Sequence, residues 1–130
     1  MEAQVTCHCL ACRKISGSTN VYGLAVPAAN LRFTAGAPKG HRAVQESGLD
    51  IDVRFCGDCG SALAKAVDDP AAGPVYIVFA GTLDPDDADD DDDAHRRLLA
   101  QFKPQAELFV KHRVPWLPEI PGTAQCREFE

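Results

Sequence analysis

Three cysteines lie close together near the start of the chain, in the sequence Cys7-His8-Cys9-Leu10-Ala11-Cys12. Thiolates spaced this closely can bind one soft metal ion, and zinc is the usual ion in such sites. Three sulfurs leave one position of a tetrahedral ion free for water or substrate, as in catalytic zinc sites. The spacing therefore predicts a metal site, with zinc as the usual ion and one position open, at Cys7, Cys9 and Cys12.

Length and charge narrow the class of protein. The 130 residues predict a single domain spanning 1–130, and the chain lacks an apolar run of the roughly 20 residues that a membrane helix needs. The formal charge is −6, but residues 84–93 supply eight carboxylates, and the remainder has 13 basic and 11 acidic side chains. Nucleic-acid binding usually requires a basic surface, which this balance does not predict. We therefore expect a cytoplasmic protein with neither nucleic-acid nor membrane partners.

Short segments rich in β-branched and aromatic residues, separated by Gly, Pro or Asp, predict an all-β domain with a minor helix. The helix is expected over His95–Phe102, because Pro104 prevents its continuation. Residues 84–94 are too acidic to pack and are expected to form a disordered loop insert. The predicted strands are Val21–Val26, Leu31–Ala35, His41–Gln45, Ile51–Phe55, Ala62–Ala66, Val75–Ala80 and Glu107–Val110.

A second cysteine pair, Cys56-Gly57-Asp58-Cys59-Gly60, directly follows a predicted strand, as in a zinc knuckle. Cys56 and Cys59 could join Cys9 and Cys12 in one closed structural site, or form a separate site that lacks two ligands. A redox pair is a third interpretation, but such pairs normally lie at a helix N-terminus. Cys126 is expected to be a bystander thiol. The spacing alone does not choose between the metal sites.

Four segments of the chain, taken together and in this order, resemble one known family. They are Cys7–Lys14 with Ser16–Ser18, Phe55–Ser61, Ala80–Asp84, and Phe109–Arg113 with Trp116. The family is that of the glutathione-dependent formaldehyde-activating enzymes, which includes the centromere protein V domain. The resemblance implies a fold of small coiled β-sheets with zinc knuckles.

The resemblance also implies two zinc sites. Cys7, Cys9 and Cys12 correspond to a catalytic zinc site whose free position takes a thiol such as glutathione. Cys56 and Cys59 correspond to half of a structural four-cysteine site. The other half, a C-x-C pair before the catalytic cluster, has no counterpart in this sequence. We therefore expect an N-terminally shortened domain with an incomplete structural site, unless His41, His112, Cys126 or a homodimer partner supplies ligands.

The resemblance implies the activity of a zinc-dependent carbon–sulfur lyase similar to S-(hydroxymethyl)glutathione synthase. Its substrates would be a thiol such as glutathione and formaldehyde or another small aldehyde. His8 is either a proton carrier or a polar neighbour of the cluster. The alternative function is a non-catalytic, zinc-stabilised binding domain with a single structural four-cysteine site. The candidate substrate-binding residues are Arg13, Lys14, Ser16, Lys111 and Arg113.

Overall fold

The computed structural model of the chain describes residues 3–86 and 91–129. Its strands form one mostly antiparallel sheet, which confirms the β-rich fold, and its two α-helices are short. The strands lie in the order β3-β4-β5-β6-β2-β1-β7-β8. The elements are β1 Ala3–Cys7, α1 Leu10–Ser16, β2 Val21–Pro27, β3 Lys39–Val44, β4 Asp50–Phe55, β5 Ala62–Asp69, β6 Gly73–Phe79, α2 Asp92–Ala100, β7 Ala106–Leu108 and β8 Ala124–Gln125.

Two kinds of connection build the sheet. Strands β3 to β6 form an antiparallel meander, and β6 begins directly after its turn at Gly73, in the left-handed conformation that glycine favours. Strand β2 pairs antiparallel with both β6 and β1, whereas β7 and β8 add in parallel. This parallel addition brings Ala106–Leu108 beside Val5–Cys7. The C-terminal part of the chain is thereby positioned against the first cysteine.

The core is centred on the cysteine cluster. Its buried residues are Cys7, Cys9, Cys12, Val21, Phe79 and Phe109. Ala11, Ile15, Ala62 and Leu108 pack against this group. The cysteines therefore take the place that large aliphatic side chains occupy in most small domains.

Six of the seven predicted strands are present with shifted ends, but the prediction of a strand at Leu31–Ala35 is wrong. This segment crosses from β2 to β3, and the Phe33 ring packs edge-on against Tyr76, with centroids 6.0 Å apart. The apolar residue at position 33 therefore reflects this ring contact and not a place in a β-strand. Among the described residues, the prediction missed β1, α1 and β8.

The predicted helix His95–Phe102 is shifted, because α2 begins at Asp92 and ends at Ala100. Asp91 caps it, since its Oδ1 accepts a hydrogen bond of 2.6 Å from the backbone N–H of Ala94. Expecting a loop throughout 84–94 was therefore wrong for its last residues, and residues 87–90 lie outside the described part. No helix in that part is long and apolar enough to cross a membrane.

Gly23 lies in β2 where the sheet needs a residue without a side chain. A Cβ built at Gly23 would lie 2.3 Å from Cγ2 of Ile77 on the neighbouring strand β6. Ile77 is branched at Cβ and has few alternative rotamers, so it cannot easily move away. The side chain of Ile77 therefore lies across the space that Gly23 leaves.

Replacing Gly23 with alanine should lower the free energy of unfolding by about 1–3 kcal/mol, because the new methyl group overlaps Ile77. Gly81→Ala is the matched control, since a Cβ at Gly81 would have no atom within 4 Å and its backbone is not left-handed. Urea unfolding of both variants measures the difference. Equal stability of the two variants would show that the β2–β6 contact relaxes without cost.

Candidate metal centre

The three clustered cysteines occupy a corner between a strand and a helix. Cys7 is the last residue of β1, Cys9 is the N-cap of α1, and Cys12 lies in its first turn. The Sγ atom of Cys9 accepts a hydrogen bond of 3.4 Å from the backbone N–H of Cys12, as an N-cap side chain does. The C-x-C-x-x-C spacing thus ends one element, begins the next and turns all three side chains to the same side.

The three Sγ atoms lie within 4.8 Å of one another. Cys9 and Cys12 are fully buried, and Cys7 is 5% exposed. Sulfur is a soft donor, and three cysteine sulfurs at this separation fit a zinc ion. Among the described residues, this is the one group of three or more Cys, His, Asp or Glu side chains whose ligand atoms converge in this way.

The three thiols also form hydrogen bonds with one another, which separate their acidities. Hydrogen bonds from Cys12 and Cys7 lower the pKa of Cys9 to about 2. The corresponding bonds with Cys12 and Cys9, together with burial, raise the pKa of Cys7. The cluster therefore holds one thiolate readily, and a bound cation is what would let all three ionise together.

Lys65 of β5 provides a cation at the cluster. Its Nζ donates a hydrogen bond of 3.1 Å to Sγ of Cys12, and its side chain is 9% exposed. Burial disfavours the charged ammonium, but attraction to the sulfurs of Cys12 and Cys7 when they ionise, with the hydrogen bond to Cys12, outweighs that effect and raises the pKa of Lys65. Lys65 therefore remains charged and partly neutralises the sulfurs.

His8, between two of the cysteines, is held by a buried carboxylate. Its Nε2 donates a hydrogen bond of 2.8 Å to Oε1 of Glu107 in β7, and its backbone N–H donates one of 3.0 Å to the Leu108 carbonyl. Both side chains are almost completely buried, at 0% and 1% exposure. His8 is therefore an anchor that fixes the Cys7–Cys9 loop to the parallel strand.

The other carboxylate oxygen of Glu107 is also satisfied. Oε2 accepts hydrogen bonds from the backbone N–H of Ile120 at 2.9 Å, from Nε2 of Gln125 at 2.8 Å and from Nη2 of Arg113 at 3.1 Å. Burial favours the neutral acid, but the bonds from Gln125, Ile120 and His8 and the charge of Arg113 outweigh it and lower the pKa of Glu107 to about 2. Glu107 is thus a buried anion that joins the C-terminal tail, residues 113–125, to the loop between Cys7 and Cys9.

A comparison with protein families matches the model of the glutathione-dependent formaldehyde-activating enzymes over residues 1–112. The chain belongs to this family. The match confirms the resemblance seen in the sequence, and family membership agrees with a zinc-binding function for a β-rich domain with a three-cysteine cluster. Among curated proteins, no match is found.

The structure gives several of the candidate substrate-binding residues partners within the chain. Arg113 contacts Glu107, whereas Lys111 pairs with Glu128 at 2.7 Å and with Glu46 at 3.6 Å. Ser16 donates a hydrogen bond of 2.8 Å to the Cys12 carbonyl, which secures the last turn of α1. The other two candidates, Arg13 and Lys14, also lie in the last turn of that helix.

The second cysteine pair forms a tight turn after β4 that is typical of a zinc knuckle. The Gly60 N–H donates to the Cys56 carbonyl and the Cys56 N–H to the Ser61 carbonyl, both at 2.9 Å. Cys59 is exposed, and its Sγ donates a hydrogen bond of 3.2 Å to Oγ of Ser61. The turn therefore has the backbone of a knuckle and is closed by its own hydrogen bonds.

The pooled set of Cys9, Cys12, Cys56 and Cys59 is not brought together within the described residues, because the converging sulfurs there include neither Cys56 nor Cys59. The suggested extra donors do not complete a group of three with this pair either. Of these donors, His112 contacts Glu46 at 2.8 Å, Cys126 is buried beside β7, and His41 is exposed on β3. The closed four-cysteine alternative is therefore not formed.

Replacing one cysteine of the cluster should abolish tight metal binding. Purified protein is expected to bind one zinc ion per chain at Cys7, Cys9 and Cys12, so Cys12→Ser should reduce the zinc content to near zero. Elemental analysis and the absorption spectrum of the cobalt-substituted protein measure this. Cys126→Ser is the control and should keep the ion, because Cys126 is not part of the converging group. Full zinc retention in Cys12→Ser would contradict the assignment.

Glu107→Gln should destabilise the protein at neutral pH and much less at low pH. The pKa of Glu107 is lowered in the fold, so its contribution is complete above the ordinary value of 4.5 and is lost as pH falls toward about 2. A lowering of this size corresponds to roughly 3 kcal/mol. Urea unfolding from pH 7 to pH 2 measures the gap between Glu107→Gln and wild type, and a constant gap would contradict this account.

Proposed function

We propose that this chain is a zinc-dependent carbon–sulfur lyase that adds a thiol to a small aldehyde and catalyses the reverse reaction. The observation that carries the proposal is the convergence of three buried sulfurs within 4.8 Å, at the edge of a cavity of about 1010 Å³ that Cys7 and Lys65 line. A structural zinc site needs no such cavity, whereas a substrate must reach a catalytic one. Glutathione and formaldehyde are the candidate substrates that family membership suggests.

The donor set fits the proposed metal. Cys7, Cys9 and Cys12 would hold zinc through three thiolates, and the Lys65 ammonium would offset the single negative charge that remains. Zinc bound in this way would supply a fourth position that keeps a substrate sulfur as thiolate at neutral pH. Because these ligands must stay reduced, the site suits the cytoplasm.

Lys65 is the residue to which we assign direct contact with the reacting atoms. In the forward reaction the thiol S–H bond breaks and a carbon–sulfur bond forms, and the π-electron pair of the aldehyde moves to its oxygen, which takes a proton in place of the one the thiol released. The Lys65 ammonium lies at the cluster and lines the cavity, so it can donate a hydrogen bond to that oxygen as negative charge develops. No oxidant or reductant is required.

The surrounding residues hold the sulfurs in place. His8 and Glu107 fix the loop between Cys7 and Cys9, and the Ser16 hydroxyl secures α1 behind Cys12. Phe109 is fully buried beside the cluster, and its ring packs edge-on against Phe129 with centroids 4.8 Å apart. This apolar cover limits the access of water to the sulfurs and strengthens electrostatic interactions there.

Lys65→Met should lower kcat/KM for thiol–formaldehyde adduct formation by about 100-fold, the usual effect of removing one donor to a developing oxyanion. Lys65→Arg should recover part of the loss because it keeps the charge. Exchange spectroscopy by NMR measures the rate, and zinc content is determined for each variant. Unchanged kcat/KM in a zinc-loaded Lys65→Met protein would exclude the assigned role.

Absence of any acceleration by zinc-loaded wild type, with all tested thiols and aldehydes, would overturn the lyase proposal itself. The competing function, a binding domain with one closed four-cysteine site, requires Cys56 and Cys59 to share an ion with Cys9 and Cys12. Within the described residues the structure separates these pairs. The lyase is therefore the function that the geometry favours.

A further inference from the structure

The turn between β3 and β4 forms part of the wall of the cavity beside the cysteine cluster. Gln45 and Leu49 of this turn line the cavity, as do Cys7 and Lys65. The Gln45 N–H donates a hydrogen bond of 2.8 Å to the Leu49 carbonyl, and the Gly48 N–H donates one of 2.7 Å to the Gln45 carbonyl. These two bonds hold the backbone of Gln45 in one position at the cavity wall.

The side chain of Gln45 is buried, at 3% exposure, and its amide has a fixed orientation. Its Oε1 accepts hydrogen bonds from the backbone N–H of Ser47, at 2.9 Å, and from the Ser47 hydroxyl. A backbone N–H can only donate, so the amide atom that it meets must be the oxygen. Nε2, with its two N–H donors, therefore lies on the side of the amide away from Ser47.

Nε2 of Gln45 is buried and has no hydrogen-bond partner among the described residues. Five buried side-chain nitrogen or oxygen atoms in this part of the chain lack a partner. The other four belong to residues that do not line the cavity, namely His8, Tyr22, Arg54 and Arg113. A buried donor without a partner costs free energy, so a native structure that keeps one has a reason to do so. A ligand in the cavity would supply the acceptor that the protein does not.

The residue after Gln45 connects this turn to the cysteine cluster. The Glu46 carboxylate accepts a hydrogen bond from the backbone N–H of Leu10, which directly follows Cys9. Its Oε2 also contacts Nε2 of His112 at 2.8 Å. Gln45 is therefore next to a residue that contacts the start of α1. A thiol whose sulfur lies at the cluster has the rest of its body within reach of Gln45.

The donors at the cavity favour a substrate that contains acceptor oxygens. An amide N–H is uncharged and donates to carbonyl and carboxylate oxygens alike. A few polar groups within a largely apolar wall are what orients a small ligand in its pocket. Glutathione, the thiol that family membership suggests, contains both peptide carbonyls and carboxylates. Its body therefore offers the kind of atom that Nε2 of Gln45 lacks.

We propose that Gln45 is a substrate-binding residue of this site, whose Nε2 donates a hydrogen bond to a carbonyl or carboxylate oxygen of the thiol substrate. The inference rests on the proposed function, because the cluster must hold the substrate sulfur. It assigns recognition of the polar body of the thiol to a neutral amide in the β3–β4 turn.

The test removes the donor and keeps the turn. Gln45→Glu retains an oxygen for Ser47 and replaces the N–H donors with a second oxygen. It should weaken the binding of glutathione to cobalt-substituted protein by at least about tenfold, because a buried acceptor of the substrate loses its donor. The cobalt absorption spectrum measures the dissociation constant. Gln45→Met, which also lacks the donor, should show the same loss and decides the question if Gln45→Glu does not fold.

Kinetics of the zinc-loaded enzyme give a second measurement. Gln45→Glu should raise KM for glutathione by a similar factor and change kcat by less than about twofold, the pattern of lost binding that ground and transition states share. γ-Glutamylcysteine and cysteinylglycine each lack one end of glutathione. The dipeptide that lacks the acceptor should bind equally well to wild type and Gln45→Glu, which identifies the oxygen that Gln45 contacts.

Two controls separate recognition from folding. Ethanethiol contains no oxygen, so its dissociation constant should be the same for wild type and Gln45→Glu. Gln101→Glu is the matched variant, because Gln101 is exposed at the end of α2 and does not line the cavity. It should bind every thiol as wild type does. Thermal unfolding of each variant verifies that it folds.

Equal binding of glutathione by wild type and Gln45→Glu would overturn the inference and leave the lyase intact. An equal loss of affinity for glutathione and ethanethiol would also overturn it, since Gln45 would then serve only to hold the turn. A cobalt spectrum that no thiol changes would refute the proposed function together with the inference.

Discussion

The three sulfurs of the cysteine cluster and the ammonium of Lys65 lie together at the centre of this small domain. The surrounding residues must bury these groups and balance their charges. Cys9 and Cys12 are fully buried, and Lys65 reaches Cys12 from a strand more than fifty residues further along the chain. Ionised thiols in such surroundings need compensating positive charge, which Lys65 supplies in part and a divalent cation would complete. Folding and metal binding would therefore be coupled, since the sulfurs that form the core are also the candidate ligands.

The parallel strand β7 explains how so short a loop is kept rigid. Glu107 accepts hydrogen bonds from His8 and from three groups in the C-terminal tail, so both of its carboxylate oxygens are satisfied. A buried polar network is stable when every member has a partner, and it then fixes a single arrangement. The C-terminal residues thus support the cysteine cluster without adding a sulfur to it. Arg113 acts in this network as the counter-charge of Glu107.

The sequence allowed a good prediction of the local features. The C-x-C-x-x-C cluster converges, and most strands form, because spacing and alternation are properties of neighbouring residues. Lys65 was missed, although one lysine within an otherwise apolar strand, Ala62-Leu63-Ala64-Lys65-Ala66, was a sign of a buried charge. Helix α1 was missed because its N-cap is a cysteine and its packing against the core comes from tertiary contacts.

Long-range pairings were beyond such reasoning. Arg113 and Lys111 have the composition of ligand-binding residues, and only the fold reveals that Glu107, Glu46 and Glu128 neutralise them. The acidic run likewise looked like loop throughout, whereas Asp91 uses its carboxylate as a helix cap. In each case the sequence shows the charged residue but not its partner. For Arg113 and Lys111 the partners are distant in sequence, and for Asp91 the partner is the backbone N–H of Ala94.

The second cysteine pair has a structural consequence for the site even where its own ligand set is incomplete. The hydrogen bonds between Cys56 and Ser61 and between Gly60 and Cys56 close the turn without a metal. Strand β5 begins at Ala62, immediately after this turn, and reaches Lys65 three residues later. The position of the ammonium beside Cys12 thus depends on where the turn ends. The turn at residues 56–61 therefore sets where the strand begins that brings the Lys65 cation to the three sulfurs.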